Sequence, residues 1–231
     1  MELIRVSERV LCGRYETERD RPNLAYVRGD RWSFAVDAGH SAAHVREFYH
    51  ALEDAGLPLP AVTVLTHWHW DHTFGMHAVS GRTIASRKTD AYLRAARERI
   101  AREGTDWILR LDPSVGREYA GGLPVTVVPA DVTYEGEIAL DPGGVTARVF
   151  GAPSPHTDDA TLVYVPEEKL LILGDAPCGV FPTWSTDPAL GRQLIGAIEA
   201  TGAELCLSGH WLLQTRDELT DLIETECRKS E

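Results

Sequence analysis

A mixed α/β fold in one domain is what the 231-residue sequence predicts, on three observations. Strand-like and helix-like runs alternate along the chain with no linker or low-complexity segment between them. A hydrophobic content of 43% over this length is enough for one large core. Both halves read as several strands and then a helix, and each half carries metal-ligand residue types at its strand ends.

In chain order, Arg9 to Gly13, Asn23 to Val27 and Trp32 to Val36 read as short strands broken by Gly and charged turns. Ser41 to Ala55 reads as a helix: Val45, Phe48, Tyr49 and Leu52 share a face, Ser41 caps it and Gly56 stops it. Ala61 to Leu65 is the next strand, with a helix expected to begin over Thr73 to Val79. Thr89 to Arg102 reads as a charged helix, and Asp106 to Tyr119 as a helix interrupted at Pro113. From Val125 the chain becomes β-rich, through Ile138 to Leu140, Val145 to Phe150, Ala160 to Val165 and Lys169 to Leu173. Asp187 with Pro188 at the first helical position opens a helix carrying Leu190, Leu194 and Ile198. Thr215 with Glu218 is a capping-box signal for the last helix, Leu219 to Cys227.

The densest chemistry is Thr66-His67-Trp68-His69-Trp70-Asp71-His72, directly after the apolar run Val62 to Leu65. An extended strand sends alternate side chains to one face, so His67 and His69 would point at one place. Asp71 and His72 would sit at the strand-to-helix turn and aim at a second place nearby. Imidazole and carboxylate are ligands that zinc and similar divalent ions take. Three more such residues stand at or beside the ends of apolar runs: His156, Asp175 and His210. Loops at strand ends carry chemistry on a rigid scaffold.

With that set the chain resembles the metallo-β-lactamase-fold hydrolases, whose signature is His-x-His-x-Asp-His followed by a His, an Asp and a His in separate loops. The resemblance spans Asp37 to His210 and implies a four-layer αββα sandwich with its site at one edge of two packed sheets. It implies two divalent metal ions, zinc first, with manganese or iron as alternatives. His67, His69 and His156 would hold one ion, Asp71, His72 and His210 the other, and Asp175 would bridge them. Two such ions share a hydroxide that attacks a carbonyl, with Asp71 orienting it and handling its proton. Asp37 matches the family's first-motif aspartate, which supports the ligands by hydrogen bonding, although a turn cap is its rival reading. Trp68, Trp107, Phe181 and Trp184 are the candidate pocket walls. Residues 87–122, with Tyr92, Trp107 and Tyr119, are candidates for a helical lid inserted in the domain, with core packing or a dimer contact as alternatives.

Composition narrows the field. A net charge of −12 argues against nucleic acid as a partner, and no apolar run is long enough to span a membrane. Cys12, Cys178, Cys206 and Cys227 show no paired spacing, and the N-terminus opens no signal-like apolar region, so a reduced cytoplasmic protein is expected. Cys178 reads as a small, half-buried residue, and His40, His44, His50 and His77 as surface or helix-face residues. His69 stands where flavodiiron reductases carry Glu, and Cys178 where one class of zinc β-lactamases carries a substrate-binding Lys. Only 21 residues follow His210, too few for the glutathione-binding extension of glyoxalase II. What remains is a small-molecule hydrolase acting on an ester, lactone or thioester. A mononuclear iron persulfide dioxygenase and a β-lactamase-type amide hydrolase are the alternatives, and the oligomeric state stays open, a dimer included.

Overall fold

The computed structural model describes residues 1–230. The chain opens with an antiparallel meander of β1 (Leu3–Arg5), β2 (Val10–Gly13), β3 (Leu24–Arg28) and β4 (Ser33–Val36). Helix α1 (Ala42–Asp54) crosses over to β5 (Val62–Val64), which lies parallel to β4. The one-turn helix α2 (Trp70–Thr73) follows, then β6 (Arg82–Ser86), α3 (Arg87–Glu103), α4 (Asp106–Leu109), α5 (Pro113–Glu118) and β7 (Val132–Tyr134). These seven strands form one sheet in sequential order.

The second sheet holds β8 (Glu137–Leu140), β9 (Ala147–Gly151), β10 (Thr161–Val165), β11 (Leu170–Gly174), β12 (Leu205–Ser208) and β13 (Gln214–Thr215). Helix α6 (Pro188–Thr201) makes the crossover between the parallel pair β11 and β12, and α7 (Arg216–Lys229) closes the chain. Parallel neighbours need such a crossover, and each sheet obtains its crossover from a helix on its outer face.

Strand periodicity assigns every layer. On β10 and β11, Val163, Val165, Leu170 and Ile172 turn inward to meet Val27, Phe34, Val64 and Ile84 of the other sheet. The alternate residues Leu162, Tyr164, Leu171 and Leu173 turn outward onto Leu194, Ile198, Leu219 and Ile223 of α6 and α7. Outside the first sheet, α1 buries Phe48 and Leu52 on Leu24, Tyr26 and Ala35. The result is the expected αββα sandwich.

Helix ends follow local chemistry. Ser41 Oγ accepts from the amides of Ala43 and His44. Asp187 caps α6 ahead of Pro188, and Thr215 with Glu218 forms the capping box of α7.

Several expectations are corrected. The helix expected over Thr73 to Val79 ends at Thr73, and a short 3-10 turn over Met76–Ala78 replaces it. The β-rich half begins at Val132, because residues 123–130 pack as irregular chain against α3 to α5. Strands β1, β6 and β7 escaped the sequence reading, being three to five residues long with little alternation. Residues 87–122 show core packing, one of the alternatives to a lid. Leu93, Ile108, Val115 and Tyr119 bury themselves against Leu65, Phe74 and Ala85, making this segment part of the outer helical layer. His40 and His44 are fully buried rather than superficial, because α1 presses its first turn into the sheet edge.

Candidate metal centre

The site forms where β4, β5, β11 and β12 end on one edge of the sandwich. His67 and His69 lie beyond the end of β5 rather than on it, in an extended stretch that His69 closes as the N-terminal cap of α2. The sequence expectation of a strand through His69 is therefore corrected, yet the two rings still converge, with centroids 4.7 Å apart. Extended backbone alternates side chains whether or not a neighbour strand pairs with it.

Two sets of donors result. His67, His69 and His156 present one ligand atom each within 4.8 Å of one another, and Asp71, His72, Asp175 and His210 do the same. In the first set Nε2 of His156 lies 2.9 Å from Nδ1 of His69. In the second, Nε2 of His210 is 3.0 Å from Asp71 Oδ2 and 3.4 Å from Asp175 Oδ2. His72 Nε2 lies 3.5 Å from Asp175 Oδ1, and His156 Nε2 lies 4.0 Å from Asp175 Oδ2. Asp175 thus sits between the sets.

A tetrahedral ion with bonds of about 2.1 Å keeps its ligand atoms about 3.4 Å apart, the spacing found here. Nε2 of His67, Nε2 of His72 and Oδ1 of Asp175 are buried without a hydrogen-bond partner. A buried acceptor is costly unless something satisfies it. The donor set fits zinc or a similar divalent ion at both places.

The remaining ring nitrogens are held from behind. His156 Nδ1 donates to the Gly179 carbonyl at 2.8 Å, and His72 Nδ1 to Asp37 Oδ2 at 2.7 Å. His67 Nδ1 lies 3.1 Å from Thr66 Oγ1, and His210 Nδ1 lies 3.4 Å from Asp20 Oδ1. Each such contact fixes the tautomer and leaves Nε2 free to ligate. His69 is the exception, since its Nδ1 faces the site.

Electrostatics separate the two sets. Burial and the surrounding imidazoles push His67 well below its ordinary value, and burial with His156 nearby takes His69 down to about 3. Both stay neutral and ready to bind a cation. Burial would also lower His72 and His210, but Asp71 and Asp175 beside them raise both well above the ordinary value. The same pairing overcomes burial and holds Asp71 and Asp175 well below the carboxylate range. Burial and these carboxylates push the Cys178 thiol up.

Close packing sets the positions. Asp37 adopts φ +68° at the end of β4, and its Oδ1 accepts from the Thr66 amide at 2.8 Å. A Cβ at Gly209 would overlap the Asp175 carboxylate, so the chain before His210 must be glycine to come this near. Asn23 Nδ2 donates to the carbonyls of Ser208 and Trp211, each at 2.7 Å, and so brackets the His210 turn. Asn23, Thr66, Gly209 and Asp20 escaped the sequence reading. Only the ligand-bearing neighbours of Thr66 and Gly209 pointed toward them.

Above the donors lies a cavity of roughly 330 Å³ walled by Trp70, Phe181, Trp184, Trp211 and Leu222. Of the four candidate wall residues, Phe181 and Trp184 line it. Trp68 and Trp107 do not: Trp68 packs beside Tyr92, and Trp107 lies under the Arg99 guanidinium at 3.9 Å on the outer helical layer. Cys178 is half-buried and lines the cavity. No helix among the described residues is long and apolar enough to cross a membrane.

The family model for the metallo-beta-lactamase superfamily matches residues 20–180. A metallo-beta-lactamase from Pontibacter korlensis superposes with a TM-score of 0.72 at 19% identity, covering 98% of each chain. The metallo-beta-lactamase FIM-1 from Pseudomonas aeruginosa gives 0.68 at 18% identity, over 99% of this chain and 95% of that one. An acyl-coenzyme A thioesterase, MBLAC2 of Gallus gallus, is 24% identical over 167 residues. That match takes in 70% of this chain and spans 60% of the relative's length.

Proposed function

Because the chain belongs to the metallo-β-lactamase superfamily, we propose that it is a dinuclear metal-dependent hydrolase cleaving an ester, lactone or thioester of a small molecule. The observation that carries this reading is the pair of facing donor sets with Asp175 between them. His67, His69 and His156 would hold one ion and Asp71, His72 and His210 the other, with Asp175 placed between the two sets. Zinc suits these nitrogen and oxygen donors, with manganese or iron as alternatives. When bound, the ions supply a Lewis acid for the carbonyl and lower the pKa of water to about 7.

The chain's own side chains supply the rest. Asp71 is held as a carboxylate beside His72 and His210, so it can accept a hydrogen bond from a water and orient it. Asp37 and the Gly179 carbonyl lock the rings of His72 and His156 against rotation. The aromatic wall offers apolar contact to an acyl group.

The thioesterase relative supports acyl-bond hydrolysis. His72 and His210, each built against two carboxylates, favour two ions over the single iron of a persulfide dioxygenase. Free thiols at Cys12, Cys178 and Cys206 support a reducing, cytoplasmic setting. A panel of lactone, ester, thioester, β-lactam and phosphodiester substrates, run with zinc-loaded protein, tests the reading. Hydrolysis of an acyl substrate that chelation abolishes and zinc restores is expected. Turnover that survives complete metal removal would end it.

A further inference from the structure

We propose that the cavity selects its substrate by charge, accepting an apolar acyl chain whose far end is neutral or cationic and rejecting an anionic one. This rests on the acyl-hydrolase reading and names the substrate class of that same site.

Apart from the ligands, the charged groups on the cavity wall are Asp20 and Glu226. Among the described residues no lysine or arginine lines it. Lys229 reaches Glu226 at 2.6 Å, but its side chain is 65% exposed, and an ion pair so open to water offsets little charge. Arg19 is spent on Glu16 and Glu118. Bound ions at the floor would offset Asp71 and Asp175, whereas Asp20 keeps only the His210 imidazole at 3.4 Å and Glu226 only the exposed Lys229.

The apolar part of the wall points the same way. Phe181 packs edge-on to Trp70 at 5.0 Å and to Trp184 at 5.7 Å. Aromatic faces attract cations and repel anions, more so in a walled cavity than in water. Aromatic rings with a nearby carboxylate suit an ammonium group, and an anion here would face two carboxylates with no lysine or arginine on the wall to receive it. The chain's net charge of −12 adds a repulsive field at longer range.

The test uses phenyl esters of six-carbon acids ending in methyl, trimethylammonium or sulfonate. The leaving group is shared, the charge is insulated from the carbonyl, and sulfonate is a poor metal ligand. With zinc-loaded protein, kcat/KM for the methyl and trimethylammonium esters should exceed that for the sulfonate by on the order of tenfold. Glu226→Lys should raise the sulfonate-to-methyl ratio several-fold. Equal kcat/KM for the sulfonate ester, or an unchanged ratio in Glu226→Lys, overturns the proposal.

If no ester is hydrolysed, the hydrolase reading fails, and binding still decides this one. Tryptophan fluorescence titrations should then show hexyltrimethylammonium binding more tightly than hexanesulfonate. The reverse order overturns charge selection independently of catalysis.

Discussion

Asp37 Oδ2 lies 2.7 Å from Nδ1 of His72, with both side chains buried. The other carboxylate oxygen accepts from the Thr66 amide at 2.8 Å, so one residue at the end of β4 holds both the start and the end of the histidine run. Asp37→Ala should therefore weaken metal binding at the His72 set by on the order of 10- to 100-fold. Competition with a chromophoric chelator measures it. An unchanged affinity would show that the Asp37–His72 contact does not orient the ligand.

Two ions per chain should bind at saturation, since the two donor sets are separate, with Asp175 of the second lying 4.0 Å from His156 of the first. Elemental analysis after dialysis against zinc counts them. A plateau at one ion, with His72 and His210 still titrating by NMR, contradicts the dinuclear site.

Asp71→Asn and His210→Ala should behave differently. Asp71→Asn keeps the size but removes the charge that orients the water, so turnover should fall roughly 100-fold or more and resist added zinc. His210→Ala loosens one ligand and should be partly rescued by excess metal through mass action. Equal rescue of both variants would reduce Asp71 to a ligand alone.

Hydrolysis should rise with pH through an apparent value of about 7 or lower, as for attack by a metal-activated water. A rate that is flat from acid to alkaline pH would point to another nucleophile.

Stability should fall in acid for a reason away from the metals. Burial pushes His40 below its ordinary value and His44 well below it. The unfolded chain then binds more protons than the folded one below about pH 6.5. The contribution of these two histidines is therefore complete above that pH and is lost as the pH drops below it toward their folded values. Urea midpoints for His44→Gln and the parent should converge as pH falls from 7.5 to 5.5. Parallel curves would show that His44 titrates normally.

Glu118 accepts from Arg21 Nε at 2.8 Å and Nη2 at 2.9 Å, with both side chains buried. Glu118→Gln would leave a buried guanidinium without its full counter-charge and should cost about 3–5 kcal/mol. Chemical denaturation measures this, and a loss below about 1 kcal/mol would mean that Glu47 and water compensate.

The sequence alone determined a mixed α/β domain, because its strand-like and helix-like runs alternate, while the order of the four layers came from the resemblance that the ligand motif carries. It also determined the ligand types, since His67, His69, Asp71 and His72 lie so close along the chain that almost any extended-to-helix turn brings them together. Only the tertiary structure decided which ring nitrogen faces the site, because Gly179 and Asp20, which hold His156 and His210 from behind, are distant in sequence. It also moved Trp107 and residues 87–122 away from the cavity. Their apolar faces read equally as lid or core, and the open face of the first sheet, with Leu65, Phe74 and Ala85, took them as core. Asn23 and Gly209 gain their meaning the same way: Asn23 through chain of the other sheet and Gly209 through Asp175 at the end of the neighbouring strand, contacts between residues distant in sequence that no local pattern encodes.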